Sequence, residues 1–225
     1  MLIDYLIETG NAGVTHRNRK ATDYEQSVAD KLKKHGQSVE SGDTEVKGAG
    51  FHPTQPDFKF KDKTGNEHNL GIKNGHSSMF GQIAVMNHPK HGWIVSPKSK
   101  KEKPETSAYI ERSGILTRMN NEWKGENTPD IYHDAPHGAE GVRLYYGADK
   151  NTPYIHIKGH GMFHTSHDAA NLGTPQLEGK FRLRARKKSL GKRKDGSSRL
   201  LRTVNFETTK RDLGTSHLSL DADPK

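Results

Sequence analysis

The chain has no cysteine. That excludes a disulfide scaffold and any zinc site built on thiolates, and it fits a reducing compartment. Apolar residues are scarce: 30% of the 225 residues are hydrophobic and 7% aromatic. Low hydrophobicity with high net charge borders on the composition of disordered chains, so a thin core and long loops are expected. Two tryptophans, seven tyrosines and several periodic segments still predict that most of the chain folds. No run approaches the roughly 18 apolar residues of a membrane span. The opening MLIDYLIETG is too short and too acidic for a signal peptide, so a cytoplasmic protein is expected. Acids are outnumbered, 27 against 36 Lys and Arg, for a formal charge of +9. A polyanionic partner follows, nucleic acid first and an anionic membrane surface a distant second. There is no internal repeat.

Along the chain, Thr15–Lys20 reads as a basic loop. Thr22-Asp23-Tyr24-Glu25 has the form of a capping box that opens a helix, with Tyr24, Val28 and Leu32 as its apolar stripe and Gly36 as its stop. Phe58 and Phe60 alternate with Asp57, Lys59 and Lys61; Asp62–Asn66 is a turn signal; Leu70 and Ile72 alternate with Gly71 and Lys73. This is a β-hairpin. Phe80, Ile83 and Met86 have helical spacing within 77–87. Gly92–Val95 reads as a buried strand, 96–105 as a basic linker and 107–119 as a helix. From 141 onward the pattern becomes strand-rich: 142–146, 154–157, then 181–186 and 200–206 as a long basic hairpin. The tail after Asp212 reads as loose.

In a strand, residues two apart share a face. With Phe58, Phe60, Leu70 and Ile72 turned to the core, Asp57, Gly71 and Lys73 share the opposite side of the hairpin. Pro56 suits a strand start, where no ladder donor is needed. Pro56-Asp57, Gly71-Ile72-Lys73, the preceding helix with Glu25 and the later Phe80-Gly81-Gln82 together resemble the PD-(D/E)xK nuclease superfamily over about residues 22–95. The resemblance implies metal-assisted phosphodiester hydrolysis. Asp57 and an acid at position 71 would hold Mg²⁺, with the Ile72 carbonyl as a further ligand. The ion would lower the pKa of a bound water and stabilise charge on the phosphate. Lys73 would position or deprotonate the attacking water, Glu25 would orient Lys73 or reach the metal through water, and Gln82 belongs to the same neighbourhood. The departure is Gly71, where the superfamily places Glu or Asp. Three readings stay open: replacement of the acid to silence a toxic nuclease, natural inactivity, or service by another acid. Glu67 shares parity with Lys73 but lies about 20 Å away along a strand. With Gly71, weak metal binding and little or no cleavage are expected.

His156, His160, His164 and His167 crowd one segment, but Gly159 and Gly161 oppose the helix that a zinc site at i, i+4 spacing needs. A structural or DNA-facing role is favoured there, with a histidine-metal nuclease of another fold as an alternative. His88 and His91 are a similar, weaker signal. Residues 180–202 hold Lys180, Arg182, Arg184, Arg186, Lys187, Lys188, Lys192, Arg193, Lys194, Arg199 and Arg202. Arg182, Arg184 and Arg186 share one strand face, a pattern for tracking phosphates or entering a groove.

The expected architecture is α/β: a restriction-endonuclease-like core with a mixed β-sheet flanked by helices, then a β-rich basic C-terminal portion. The expected divisions are 1–20 (basic segment), 21–135 (nuclease core) and 136–225 (DNA-binding portion). The expected function is Mg²⁺-dependent, sequence-directed cleavage of double-stranded DNA, of the restriction or homing type and of bacterial or phage origin. A homodimer would cut both strands. The alternative is a non-catalytic nucleic-acid-binding protein.

Overall fold

The computed structural model describes residues 16–34, 38–41, 56–74, 79–125, 127–192, 198–208 and 210–220; for 16–22, 25, 38–41, 192, 198, 199 and 210 it describes the backbone alone. The fold is mixed α/β with two five-stranded sheets. Helix α1 (His16–Lys34) carries the expected stripe: Tyr24, Val28 and Leu32 are buried. Next come β1 (Ser38–Ser41), β2 (Phe58–Lys61) and β3 (Glu67–Lys73), an antiparallel meander with Phe58 opposite Leu70 and Phe60 opposite His68. The β2–β3 turn is fixed by Asp62, whose carboxylate accepts from the Thr64 amide and hydroxyl, the Asn66 amide and the His68 ring.

Strand β7 (Tyr154–Ile157) lies parallel to β3, and β8 (Gly161–His164) completes this first sheet in the order β1-β2-β3-β7-β8. The parallel pairing of β3 and β7 needs a crossover, because two parallel strands cannot be joined by a tight turn. The crossover ends in α5 (Gly138–Arg143), which runs on as a π-helix over Leu144–Asp149. Phe58, Phe60, Leu70, Ile72, Tyr154 and Met162 cluster with the α1 stripe. Ile155 and Ile157 join the larger cluster that contains Tyr145 and Tyr146. The first sheet therefore buries one face on α1 and the other on the crossover helix.

The second sheet is antiparallel, in the order β5-β4-β10-β9-β6. It comprises β4 (Met79–His88), β5 (Gly92–Val95), β6 (Ile131–Ala135), β9 (Phe181–Lys192) and β10 (Ser198–Glu207). The long basic hairpin is β9–β10, with Phe181, Leu183 and Ala185 turned into the core. Each sheet takes strands from both sides of residue 135, so the expected boundary there does not divide the sheets.

Several local expectations are corrected. Residues 16–20 are helical rather than a loop, so α1 begins six residues before Thr22 and the capping-box sequence lies inside it; Arg, Lys and Ala favour helix strongly enough to extend it. Residues 77–87 do not form a helix: β4 is a strand. Phe80 pairs with Phe206 and Ile83 with Val204, so three residues advance on β4 for two on β10. Gly81, at φ +65°, takes up the extra residue in a β-bulge. The bulge returns Phe80 and Ile83 to one face at a spacing of three, which imitates a helical period.

The basic linker contains α2 (Pro97–Glu102), capped by the Ser96 hydroxyl, which accepts from the Ser99 amide at 3.2 Å. The 107–119 helix is two helices, α3 (Pro104–Arg112) and α4 (Ile115–Glu122), separated at Gly114. Residues 142–146 are helical rather than a strand. Gly138 and Gly141 allow this, since a Cβ at either would overlap Phe181 or Phe206. As far as Leu220 the tail is packed rather than loose: Leu220 is fully buried, the Leu218 carbonyl accepts from Met162, and the Leu220 amide donates to His156; residues 221–225 lie outside the described residues. Among the described residues, no helix is long and apolar enough to cross a membrane.

Candidate cleavage and nucleic-acid site

Asp57 immediately precedes β2. Its amide donates to the Leu70 carbonyl at 3.1 Å, and its Oδ2 accepts from the Ile72 amide at 2.6 Å. The carboxylate is thus anchored on the β3 backbone beside Gly71, and it is half-buried rather than sealed. Leu70 and Ile72 are turned to α1, which leaves Gly71 and Lys73 on the crossover side. A Cβ at Gly71 would sit 3.6 Å from the Tyr146 ring and 3.3 Å from Thr152 Cγ2. The same ring lies under the Lys73 ammonium, 5.6 Å from its centroid. Strand parity alone brings Asp57, Gly71 and Lys73 to one side; the π-helix supplies the ring that Gly71 and Lys73 face. π-turns of this kind occur often at functional sites.

A cavity of about 290 Å³ opens here. Lys73 and Gln82 line it, and so do Arg186 and Lys188 from β9. Lys73 of the hairpin and the far end of the basic strand therefore meet at one place. The β4 bulge presents Gln82 to it, where the side-chain oxygen accepts from Lys188 Nζ at 3.1 Å and the carbonyl accepts from Lys103 Nζ at 2.9 Å. Asn205 donates to the Gly81 carbonyl and closes the floor.

The sequence reading missed Lys150, just past the π-helix. It also lines the cavity, and its ammonium stands 5.6 Å from the centroid of Tyr146, the ring that Lys73 uses. Burial pushes the Lys150 pKa down; the Asp57 carboxylate counteracts this and the Lys73 charge adds to it. Lys103, 4.9 Å from the Tyr145 centroid, is likewise pushed down by burial. The Tyr145 hydroxyl is raised above its ordinary value, first by burial and then by Tyr146. No periodic signal marks Lys150 in the sequence, and only the crossover brings it to β3.

The arrangement suits an anion better than a divalent cation. The cavity lining holds four basic side chains and no acidic one among the described residues. Asp57 is the one carboxylate of the expected metal set, Gly71 offers none, and an oxygen of Asp57 is already engaged by Ile72. Among the described residues no cluster of three His, Asp or Glu could hold a metal. These residues do not fit Mg²⁺, a hard cation that is held through carboxylates. Glu25 lies on α1, with its side chain outside the described residues.

The basic strand divides into two parts. Arg182 bonds Glu207 and lies over the Tyr132 ring at 4.0 Å. Arg184 bonds both Asp130 and Glu207, at 2.6 and 2.8 Å. These two are committed within the sheet. Arg186 contacts Met79 Sδ at 3.1 Å and, with Lys188, faces the cavity. Lys187 is half-buried on the alternate face. Arg202 pairs in register with Lys187 and lines a separate groove with Trp93 and Trp123. The side chains of Lys192 and Arg199, and all of Arg193 and Lys194, lie outside the described residues.

Three of the clustered histidines are held by the fold, while His167 is exposed and His88 and His91 stack on each other at the surface. His156 is fully buried between the Tyr24 hydroxyl and the Leu220 amide. His160 Nδ1 contacts the Gly214 carbonyl, and His164 Nδ1 the Thr174 carbonyl. Comparisons of the chain with protein-family models, with curated proteins and with solved structures return no match.

Proposed function

We propose that this chain is a DNA endonuclease core of the PD-(D/E)xK type, one acid short at Gly71. As it stands it binds duplex DNA and cuts it poorly or not at all. The observation that carries this reading is that Asp57 and Gly71 stand beside Lys73 on one side of the hairpin, and that Lys73 lines a basic cavity together with Arg186 and Lys188. Further support comes from the order helix, meander, crossover and parallel strand in a mixed sheet, with the aspartate opening one strand and the lysine ending the next. In the same reading the chain acts as a homodimer, with one centre for each strand of the duplex.

The test is restoration. Gly71→Glu would place a carboxylate beside Asp57 along the Tyr146 ring. Incubated with Mg²⁺ and a mixed-sequence duplex library, Gly71→Glu is expected to cut, and the double variant Gly71→Glu/Lys73→Met to lose that cutting. A folded Gly71→Glu protein that binds duplex and cuts none of the library refutes the nuclease assignment. It then leaves the non-catalytic DNA-binding reading, which the excess of cations in the cavity favours.

A further inference from the structure

The cavity contains a feature that the nuclease motif does not account for. Lys73 and Lys150 bring two ammonium groups to the same Tyr146 ring, each 5.6 Å from its centroid. Lys188 and Arg186 enter from the second sheet. Lys103 stands behind them, held by the Gln82 carbonyl. Like charges gathered around a half-buried cavity repel one another, and an anion seated among them relieves that repulsion. The nearby acids are largely committed elsewhere. Asp149 accepts from the Glu105 and Thr106 amides and the Thr106 hydroxyl at the start of α3. Glu207 and Asp130 serve Arg182 and Arg184. Asp57, anchored on Ile72, is the acid that acts on Lys150.

We infer that Lys150, together with Lys73, Arg186 and Lys188, forms a phosphate-binding site that works without a divalent ion, the Lys150 ammonium supplying beside Asp57 the positive charge that a metal would otherwise bring. The inference rests on the reading of this cavity as the place where a nucleic-acid phosphate is handled, and it adds both a residue and a mode of binding. The ligand chemistry is a tetrahedral phosphate oxyanion. The cavity volume of about 290 Å³ admits one such group and its sugar rather than a length of duplex. Point-charge ammonium groups suit this ligand, and Gln82 adds an amide group to the lining.

The test is binding in EDTA. Fluorescence anisotropy is measured on a short duplex carrying either a 5′-phosphate or a 5′-hydroxyl, with inorganic phosphate as competitor. Wild-type protein is expected to bind equally well with EDTA and with Mg²⁺, and to be displaced by inorganic phosphate. Lys150→Met is expected to weaken binding about 10- to 100-fold, the loss of one charge-assisted contact, and Lys150→Arg to retain most of the affinity. Tighter binding of the 5′-phosphorylated duplex assigns the cavity to a terminal phosphate. Equal binding of the two duplexes, still sensitive to Lys150→Met, assigns it to an internal phosphodiester.

Loss of wild-type binding in EDTA overturns the inference, and so does a folded Lys150→Met protein with unchanged affinity. If Lys150→Met does not fold, Lys188→Met on the exposed strand end takes its place, with a several-fold loss expected and an unchanged affinity counting against the site. The two readings fail separately. EDTA-resistant, Lys150-dependent binding with no cutting by Gly71→Glu removes the nuclease and keeps the phosphate site. Cutting by Gly71→Glu with Lys150 dispensable does the reverse.

Discussion

Replacing Lys188 and replacing Arg184 should have opposite consequences, although both side chains stand on the same face of β9. Lys188 is exposed and lines the basic cavity; Arg184 is tied to Asp130 and Glu207 within the sheet. A cation that neutralises a DNA phosphate releases counterions, and each such contact contributes about 0.9 to the slope of log affinity against log salt. Four cavity cations give a slope near −3.6, or about a 150-fold loss of affinity between roughly 50 and 200 mM salt. Lys188→Ala should lower the slope by about 0.9, so the same salt step then costs about 3.5-fold less, with melting temperature unchanged. Arg184→Ala should leave the slope alone. It strands Asp130 and leaves Glu207 with Arg182 alone, and should cost about 1–3 kcal/mol of stability, a fall of about 2–4 °C per kcal/mol for a chain of this size. Anisotropy titrations at four salt concentrations, with thermal melts of the same preparations, measure both quantities. A flattened slope for Arg184→Ala at unchanged stability would show that the ion pairs with Asp130 and Glu207 do not withhold it from DNA, and the division of the strand would be wrong.

Two further outcomes concern the frame that holds the site. Gly141→Ala puts a methyl group into the Phe206 ring and against Tyr109. It should destabilise the protein by about 1–3 kcal/mol through overpacking, read as a lowered denaturant midpoint. Asp62 is held well below the usual carboxylate range, by the Thr64 hydroxyl first and then by His68. A depressed folded-state pKa contributes stability that is complete above the unfolded value near 4 and is lost as pH falls below it. Asp62→Asn should therefore flatten the acid limb of a melting-temperature profile below about pH 4 and lower the plateau above it; a parallel acid limb contradicts the assignment.

Local period made much of the first sheet legible. Tyr24, Val28 and Leu32 gave the α1 face, and Phe58, Phe60, Leu70 and Ile72 gave the hairpin. Those four in turn gave the shared side of Asp57, Gly71 and Lys73. The alternation of Arg182, Leu183, Arg184 and Ala185 likewise gave the basic hairpin. Misreadings arose where a local irregularity disguised the period. The bulge at Gly81 spaced Phe80 and Ile83 as a helix would, and the apolar run Val142–Tyr146 reads as a strand although its neighbours Gly138 and Gly141 let it pack as a helix. The rest is non-local. Neither the parallel pairing of β3 with β7 nor the joining of β4 to the distant β10 leaves a mark in any short window. Lys150 owes its place to the first of these and Gln82 to the second. The commitment of Arg184 to Asp130 and Glu207 is also invisible in a run of charges, so the basic strand reads as a uniform patch when only its far end faces the cavity.

The central claim is that the group of Asp57, Gly71 and Lys73 beside the basic cavity lacks one carboxylate and so serves an anion where it would otherwise hold a metal. Calorimetric titration of Mg²⁺ into wild-type protein and into Gly71→Glu tests it most directly: the account predicts no saturable heat for the wild type and a single saturable site for the variant, removed again by Asp57→Asn. Saturable binding of equal strength to the wild type and to Gly71→Glu would contradict it.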